Sequence, residues 1–239
     1  MSNTAARSFA PTFPSFTAGD VGFATLLMLA VSILSAGACM LLGCSDNTRD
    51  IAATLALEAG LFLGVGLAVW RRRLSWRAVF GFRQSRLLFA VAIGLIGCVT
   101  FLPVIFGLNI FSHSLFSRIG YQSVEPPVVR WAVEQANPQS LWFLLIQAVV
   151  IAPICEELFF RGILLPTLCT RYSVWASVTL TSALFASFHF NLPSLLPLFV
   201  VAVGFSLAFL YARSLTASIV MHAAYNLINF AWLLGQPHL

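Results

Sequence analysis

The sequence contains no lysine, and it has few charged residues of either sign. Charged side chains make up 9% of the 239 residues and hydrophobic ones 59%, whereas a typical soluble domain is about 25% charged. This composition excludes an ordinary soluble domain. At about 20 apolar residues per span, the chain has room for roughly six to eight transmembrane helices. We therefore predict an all-α, polytopic transmembrane helix bundle of about seven spans.

The cysteines form no CxxC pair, which argues against a disulfide framework and against a thiolate metal site. We interpret them as small buried apolar residues. The first 20 residues lack the basic start and the small-residue cleavage site of a signal peptide, so we predict a polar N-terminal tail. The sequence also shows no internal repeat, whereas an inverted-repeat transporter would show matching interrupted helices in its two halves. The five cysteines are Cys39, Cys44, Cys98, Cys155 and Cys169.

All thirteen basic residues are arginines, and six of them lie between positions 71 and 86. Clustered arginine in a short loop places that loop in the cytoplasm, so we interpret these charges as topology determinants and predict no nucleic-acid partner. The N-terminus is then cytoplasmic in a multi-pass protein of the bacterial inner membrane. Residues 112–138 form an outside loop with short interfacial helices. The predicted spans cover about 21–43, 51–70, 87–111, 141–168, a segment from 174 onward, 195–212 and 215–234.

Two adjacent glutamates and an arginine interrupt the apolar stretch 141–168. Ionisable residues are rare in membrane spans and mark function by default. Glu157 and Arg161 are four residues apart and can pair on one helix face. Glu156 is rotated by about 100° from Glu157 and is left free for proton transfer. The alternative, a merely interfacial ion pair, leaves Glu156 unexplained.

A proline lies one turn before the acidic pair. Pro153 has no N–H and cannot donate a hydrogen bond to the carbonyl of Val149, so the helix should kink there and free a carbonyl. A free carbonyl within a membrane is tolerated where water or protein satisfies it.

Two later apolar segments each contribute a histidine. His189 ends a segment in which polar and aromatic residues recur at helical spacing. A second stripe, on the last helix, lies on one face. Considered singly, each histidine is a hydrogen-bonded packing residue and each stripe is helix–helix glue. Considered together, three helices bring acid, base and amide groups to the membrane, which favours a site; Glu58 in the second span is a further carboxylate without a motif. The two series are Ser182, Phe185, His189 and His222, Tyr225, Asn226, Asn229.

Three ordered motifs resemble the signature of a known family. They are Glu156-Glu157-x-x-x-Arg161, Phe185-x-x-x-His189 and His222-x-x-x-Asn226. Their order and spacing are similar to those of the CAAX-protease and bacteriocin-processing (CPBP, or Abi) membrane proteases, described as glutamic-type intramembrane proteases. The resemblance covers roughly residues 140–235. It divides the chain into a tail (1–20), an N-terminal transmembrane region (21–138) and a catalytic region (139–239).

The resemblance implies an endopeptidase in which Glu156, with His189, activates water for attack on a peptide carbonyl. His222 and Asn226 would stabilise the oxyanion, and Glu157 and Arg161 would support the site. The substrate implied is a membrane-associated peptide, either lipid-modified or with a hydrophobic C-terminus.

Other functions stay open at this point. A zinc-dependent version is an alternative, because Glu156, His189 and His222 make an acceptable ligand set with an open position. The sequence has no HExxH motif, however, so we expect no cofactor. The remaining alternatives are a proton-coupled transporter and a non-catalytic membrane partner.

Overall fold

The computed structural model describes residues 16–82, 86–121, 127–135 and 137–235, so most of the predicted tail and Arg83 lie outside the described residues. Within these ranges the chain forms nine helices and no strand. This confirms the all-α class. The helices are α1 (Ala18–Leu41), α2 (Asp46–Arg71), α3 (Trp76–Phe80), α4 (Leu87–Arg118), α5 (Pro127–Gln135), α6 (Pro138–Cys169), α7 (Val174–Ser187), α8 (Leu192–Ala212) and α9 (Leu215–Leu234).

Six of these helices, α1, α2, α4, α6, α8 and α9, are long and apolar enough to cross a membrane. The seventh predicted span corresponds to α7, which is apolar but has only 14 residues. At 1.5 Å per residue, α7 is roughly 21 Å long, whereas a bilayer core is about 30 Å thick. A multi-pass membrane protein is thus confirmed, with one helix too short to cross the bilayer alone.

The third span was predicted too short. It runs as α4 to Arg118 instead of ending near residue 111. The apolar run ends where serine and histidine begin, but these polar residues continue the helix. The predicted loop therefore starts later, and it contains one short helix, α5. Its position outside the membrane stays a prediction.

Two glycines let α1 and α2 pack closely. Gly60 and Gly64 are four residues apart on α2 and face Met28 and Ala24 of α1. A Cβ atom would lie 2.6 Å from the Met28 Cα at the first position and 2.7 Å from the Ala24 Cα at the second. Small residues at this spacing allow close backbone approach between membrane helices.

Gly64→Ala should therefore destabilise the protein. Alanine favours a helix over glycine by about 1 kcal/mol, but here its methyl group would push α1 away from α2. Gly66→Ala is the matched control, since its Cβ would meet only a Trp76 side-chain atom at 3.8 Å. Thermal unfolding in detergent should show a lower midpoint for Gly64→Ala than for Gly66→Ala. Equal midpoints would show that α1 and α2 can move apart without loss of stability.

Helix α6 packs against several of the other helices. Helix α2 packs on one side of it and α9 on another, while α4 packs along α8 and α9, and α7 along α8. Since α4 belongs to the predicted N-terminal region yet contacts the last two helices, the two regions share one bundle. The division into regions remains a prediction.

Candidate active site

Helix α6 is interrupted by two π-turns, Gln147–Ile151 and Phe160–Leu164. Each precedes a proline by two residues, Pro153 and Pro166. Because proline has no N–H, the regular hydrogen-bond ladder cannot continue through it, and a π-turn absorbs one extra residue. The interruption predicted at Pro153 thus takes the form of a π-turn.

The π-turn leaves the carbonyl of Ala148 without its regular backbone donor. The Ala152 N–H donates to the Gln147 carbonyl. In the same π-helical pattern the next carbonyl, that of Ala148, would accept from the N–H of residue 153, but residue 153 is a proline and has no N–H. The Asn226 side-chain amide fills this role from α9, with Nδ2 at 2.7 Å from the carbonyl oxygen. One of the predicted oxyanion donors therefore also stabilises the turn before the acidic pair.

Glu157 and Arg161 form the predicted ion pair, and both side chains are completely buried. Arg161 Nη1 lies 2.7 Å from Glu157 Oε1. Arg161 also donates through Nη2 to the Ala202 carbonyl at 2.8 Å, and its Nε lies 3.4 Å from Ser206 Oγ. Pairing and additional hydrogen bonds are what a buried charge requires. The pair is therefore buried inside the helix bundle.

Three phenylalanines surround the Arg161 guanidinium. Its carbon lies 4.8 Å from the ring centre of Phe185, 5.2 Å from Phe205 and 5.9 Å from Phe160. A cation over aromatic faces is favourable, and more so in a desolvated site. Phe185, the first residue of the second motif, thus has a role of its own: it links Arg161 to both histidines, since its ring also packs against His189 and His222.

His222 connects the two glutamates. Its Nδ1 lies 3.0 Å from Glu157 Oε1 and its Nε2 lies 3.9 Å from Glu156 Oε2. Because the Arg161-paired carboxylate accepts, Nδ1 carries a proton and donates to it. The imidazole ring stacks on Phe205 at 4.5 Å between centroids, which fixes its plane. Glu157 therefore orients His222 as well as pairing with Arg161.

Glu156 is the carboxylate without a charged partner of its own at hydrogen-bond distance. Its side chain is 21% exposed, but Oε2 is buried and makes no hydrogen bond. A buried carboxylate oxygen left without a donor is costly. Of the two adjacent glutamates, Glu156 is thus the one without a cation at hydrogen-bond distance, and its use in proton transfer stays a prediction.

His189 lies just beyond the end of α7, and its side chain replaces a missing backbone donor. The backbone N–H of His189 donates to the Ala186 carbonyl and so does not reach the Phe185 carbonyl one residue earlier. The His189 side chain takes its place, with Nδ1 at 2.9 Å from the Phe185 carbonyl oxygen. A carbonyl can only accept, so Nδ1 carries a proton, and in the neutral ring Nε2 keeps its lone pair. His189 is exposed. Both His189 and Glu156 are among the described residues, and no hydrogen bond or ion pair joins their side chains.

A cavity of about 120 Å³ brings Glu156 and His189 to the same space. Apart from these two, its lining is apolar. α1, α2 and α6 contribute to its wall, together with the turn after α7. The lining residues are Met28, Leu57, Leu61, Glu156, Phe159, Phe160, Phe188 and His189.

The structure thus divides the predicted site residues into three positions. Glu156, Glu157, Arg161 and His222 form one connected cluster, His189 lines the same cavity as Glu156, and Asn226 donates to the Ala148 carbonyl. Among the described residues, no three His, Cys, Asp or Glu side chains converge as a metal-binding group. The expectation that the protein needs no metal stays a prediction.

Several participants were not predicted from the sequence. Gln147 lies in the supporting turn and donates to Glu58, whereas Phe205 packs on His222 and Ser206 lies 3.4 Å from Arg161 Nε. Gln147 and Ser206 could have been suspected as polar residues in apolar helices. Phe205 gives no such signal, because phenylalanine is ordinary in a membrane span.

Comparison with known proteins matches the region that contains this site. Residues 138–228 match the family described as "Type II CAAX prenyl endopeptidase Rce1-like". The resemblance to CAAX-type proteases is therefore confirmed for these residues. The Rce1-like region begins with α6 and includes all three motifs, so it contains every predicted catalytic residue.

Two curated relatives match part of the chain. The chain is 29% identical over 120 residues to "Putative membrane peptidase YdiL" of Bacillus subtilis, covering 47% of this chain and 48% of that protein. It is 31% identical over 103 residues to an "Uncharacterized 24.3 kDa protein" of Escherichia coli, covering 41% and 47%. The match thus spans about half the length of each relative. No solved structure matches the chain significantly.

Proposed function

We propose that the protein is an intramembrane endopeptidase in which Glu156 is the general base. One observation carries this proposal: Glu156 Oε2 is buried without a hydrogen-bond partner beside His222 Nε2, at the edge of an apolar cavity. The adjacent Glu157 is paired with Arg161 through Oε1 at 2.7 Å, whereas Glu156 has no such cation, so Glu156 is the carboxylate proposed as the base. The Rce1-like match of the same residues supports this assignment.

In the proposed reaction, Glu156 takes a proton from water while the water oxygen attacks the peptide carbonyl carbon. The negative charge develops on the carbonyl oxygen. Collapse of this intermediate breaks the C–N bond, and the proton moves from Glu156 to the leaving amine. A base near the reacting water contributes about 10²–10⁴-fold to such a step.

His222 and Asn226 are the proposed oxyanion donors. Glu157 accepts from His222 Nδ1 and so orients the ring, and Nε2 is proposed to donate to the oxyanion when it also carries a hydrogen. Asn226 uses one amide hydrogen on the Ala148 carbonyl and retains a second for the oxyanion. Donors fixed in place before reaction are the most effective stabilisers of developing charge.

His189, which lines the same cavity as Glu156, is proposed to assist. With Nδ1 bound to the Phe185 carbonyl, the lone pair of Nε2 is the remaining polar function of the ring. It would accept the second hydrogen of the attacking water and orient its oxygen.

The cavity favours an apolar substrate segment. Its lining is hydrophobic except for Glu156 and His189, so a polar side chain bound there would lose its hydration without compensation. We propose a membrane-associated peptide substrate, lipid-modified or with a hydrophobic C-terminus. The name of the matched family points to the same class.

This function is tested by co-expressing the protein with membrane substrates that carry such tails and analysing the products by mass spectrometry. A shortened substrate and its released C-terminal peptide should appear. A proton-coupled transporter would give substrate uptake and no peptide product.

Asn226→Ala should slow turnover by about 10²–10³-fold, because the oxyanion loses a donor. It should also lower the free energy of unfolding by about 1–3 kcal/mol, because the Ala148 carbonyl is left unsatisfied. Asn229→Ala, on an exposed position one turn later, is the control. Cleavage kinetics measure the loss of the oxyanion donor, and thermal unfolding measures the loss of the hydrogen bond to Ala148. An inactive variant of full stability would remove the proposed capping role.

Metal dependence is tested by elemental analysis of the purified protein. A water-activating carboxylate needs no metal, so we expect less than stoichiometric zinc and activity that survives chelators. Zinc near one per chain, lost together with activity in His222→Ala, would instead assign Glu156, His189 and His222 as ligands.

A further inference from the structure

A second buried carboxylate lies near the site but outside the three motifs. Glu58 on α2 is 5% exposed, and its Oε1 accepts a hydrogen bond from Gln147 Nε2 at 2.5 Å. Gln147, the first residue of the π-turn before Pro153, is 3% exposed. Among the described residues, no arginine or histidine forms an ion pair with Glu58.

The side chains of Glu58 and Gln147 together lack one hydrogen-bond donor. Glu58 Oε2 and Gln147 Oε1 are both buried and both lack a partner. An ionised carboxylate and an amide oxygen can only accept, so neither can satisfy the other. A proton on Glu58 changes this. The acid O–H would donate to the amide oxygen while the amide N–H donates to the acid carbonyl, and both orphan oxygens would be satisfied.

Charge favours the same state. Among the described residues no cation pairs with Glu58, so nothing offsets the charge that ionisation would place there. An ionised carboxylate buried in a membrane bundle without a cation is strongly disfavoured. If Glu58 holds a proton, Glu156 remains the carboxylate that can act as a base.

The pair also holds the turn that positions Glu156. Glu58 reaches Gln147 from α2, and Asn226 reaches the next residue, Ala148, from α9. The π-turn is therefore fixed from two sides. One residue more or less in this turn would rotate the following segment by about 100° and turn Glu156 away from His222.

We propose that Glu58 and Gln147 form a neutral acid–amide pair that keeps the Gln147–Ile151 turn in register and so positions Glu156. Glu58 is a positioning residue and does not touch the reacting atoms. The effect on turnover rests on the proposed protease function, whereas the protonation state of Glu58 does not.

Infrared spectroscopy tests the protonation state directly. Purified wild-type protein minus Glu58→Gln should show the carbonyl band of a protonated carboxylic acid at neutral pH. Carboxylate bands in its place would overturn the proposal. The infrared measurement does not depend on cleavage, so it reports the protonation state of Glu58 even if the protein is not a protease.

Turnover tests the positioning role. Glu58→Gln keeps both hydrogen bonds as an amide–amide pair, and the exchange variant Glu58→Gln/Gln147→Glu restores the acid on the other helix. Both should retain most of the wild-type kcat. Glu58→Leu and Gln147→Leu should lose about tenfold to 10²-fold in kcat, with KM little changed. Wild-type kcat in folded Leu variants, or an exchange variant as poor as they are, would contradict the proposal.

Discussion

Glu156→Gln is expected to abolish peptide cleavage while the protein folds and inserts normally. Glutamine has nearly the same shape as glutamate and keeps a hydrogen-bonding oxygen, but it cannot take a proton from water. We expect a loss of about 10²–10⁴-fold in kcat, the usual contribution of a general base. The measurement is the single-turnover rate of the purified variant in detergent or liposomes.

Glu134→Gln is the matched control, because Glu134 is an exposed carboxylate on α5 outside the bundle site. It should cleave at the wild-type rate. Cleavage by Glu156→Gln at the same rate as Glu134→Gln would remove Glu156 from the chemistry.

Arg161→Ala is expected to destabilise the protein by about 3–5 kcal/mol, the cost of leaving a buried charge without its partner. The guanidinium is fully buried between Glu157, the Ala202 carbonyl and three aromatic rings. Its removal leaves a cavity and an excess negative charge, since His222 would be the remaining partner of Glu157. Thermal unfolding of detergent-solubilised protein measures the loss.

A second substitution separates charge from packing. Glu157→Gln in the Arg161→Ala background removes the unpaired charge and should recover part of the stability, with the cavity cost remaining. Arg171→Ala, at an exposed arginine beyond the end of α6, should change little. If Arg161→Ala unfolds at the wild-type temperature but does not cleave, Arg161 acts in the chemistry instead of the fold.

Much of the fold follows from hydropathy because the bilayer demands long apolar helices. The prediction for the last helix, 215–234, agrees with α9, since polar residues and a basic loop bound that run. Hydropathy does not predict α3, which is too short for a span, or the end of α4, where polar residues continue the helix. It also cannot show that α7 ends early.

The site follows from the sequence only where its geometry is local. The Glu157–Arg161 pair is set by helical spacing within α6, and the structure contains it. The distance from His222 to Glu156 depends on how α9 crosses α6, which no local pattern encodes. For the same reason the sequence indicates a proline break at residue 153 but not that Asn226 would bind the freed carbonyl.

The most direct test of the central claim uses the protein in liposomes with a membrane-anchored substrate whose hydrophobic C-terminal tail carries a lipid. Mass spectrometry would follow the tail peptide. The site described above predicts that wild-type protein releases this peptide by hydrolysis and that Glu156→Gln and His222→Ala release almost none. Release at equal rates by all three proteins, or uptake of a solute with no peptide from any of them, would contradict an intramembrane protease centred on Glu156.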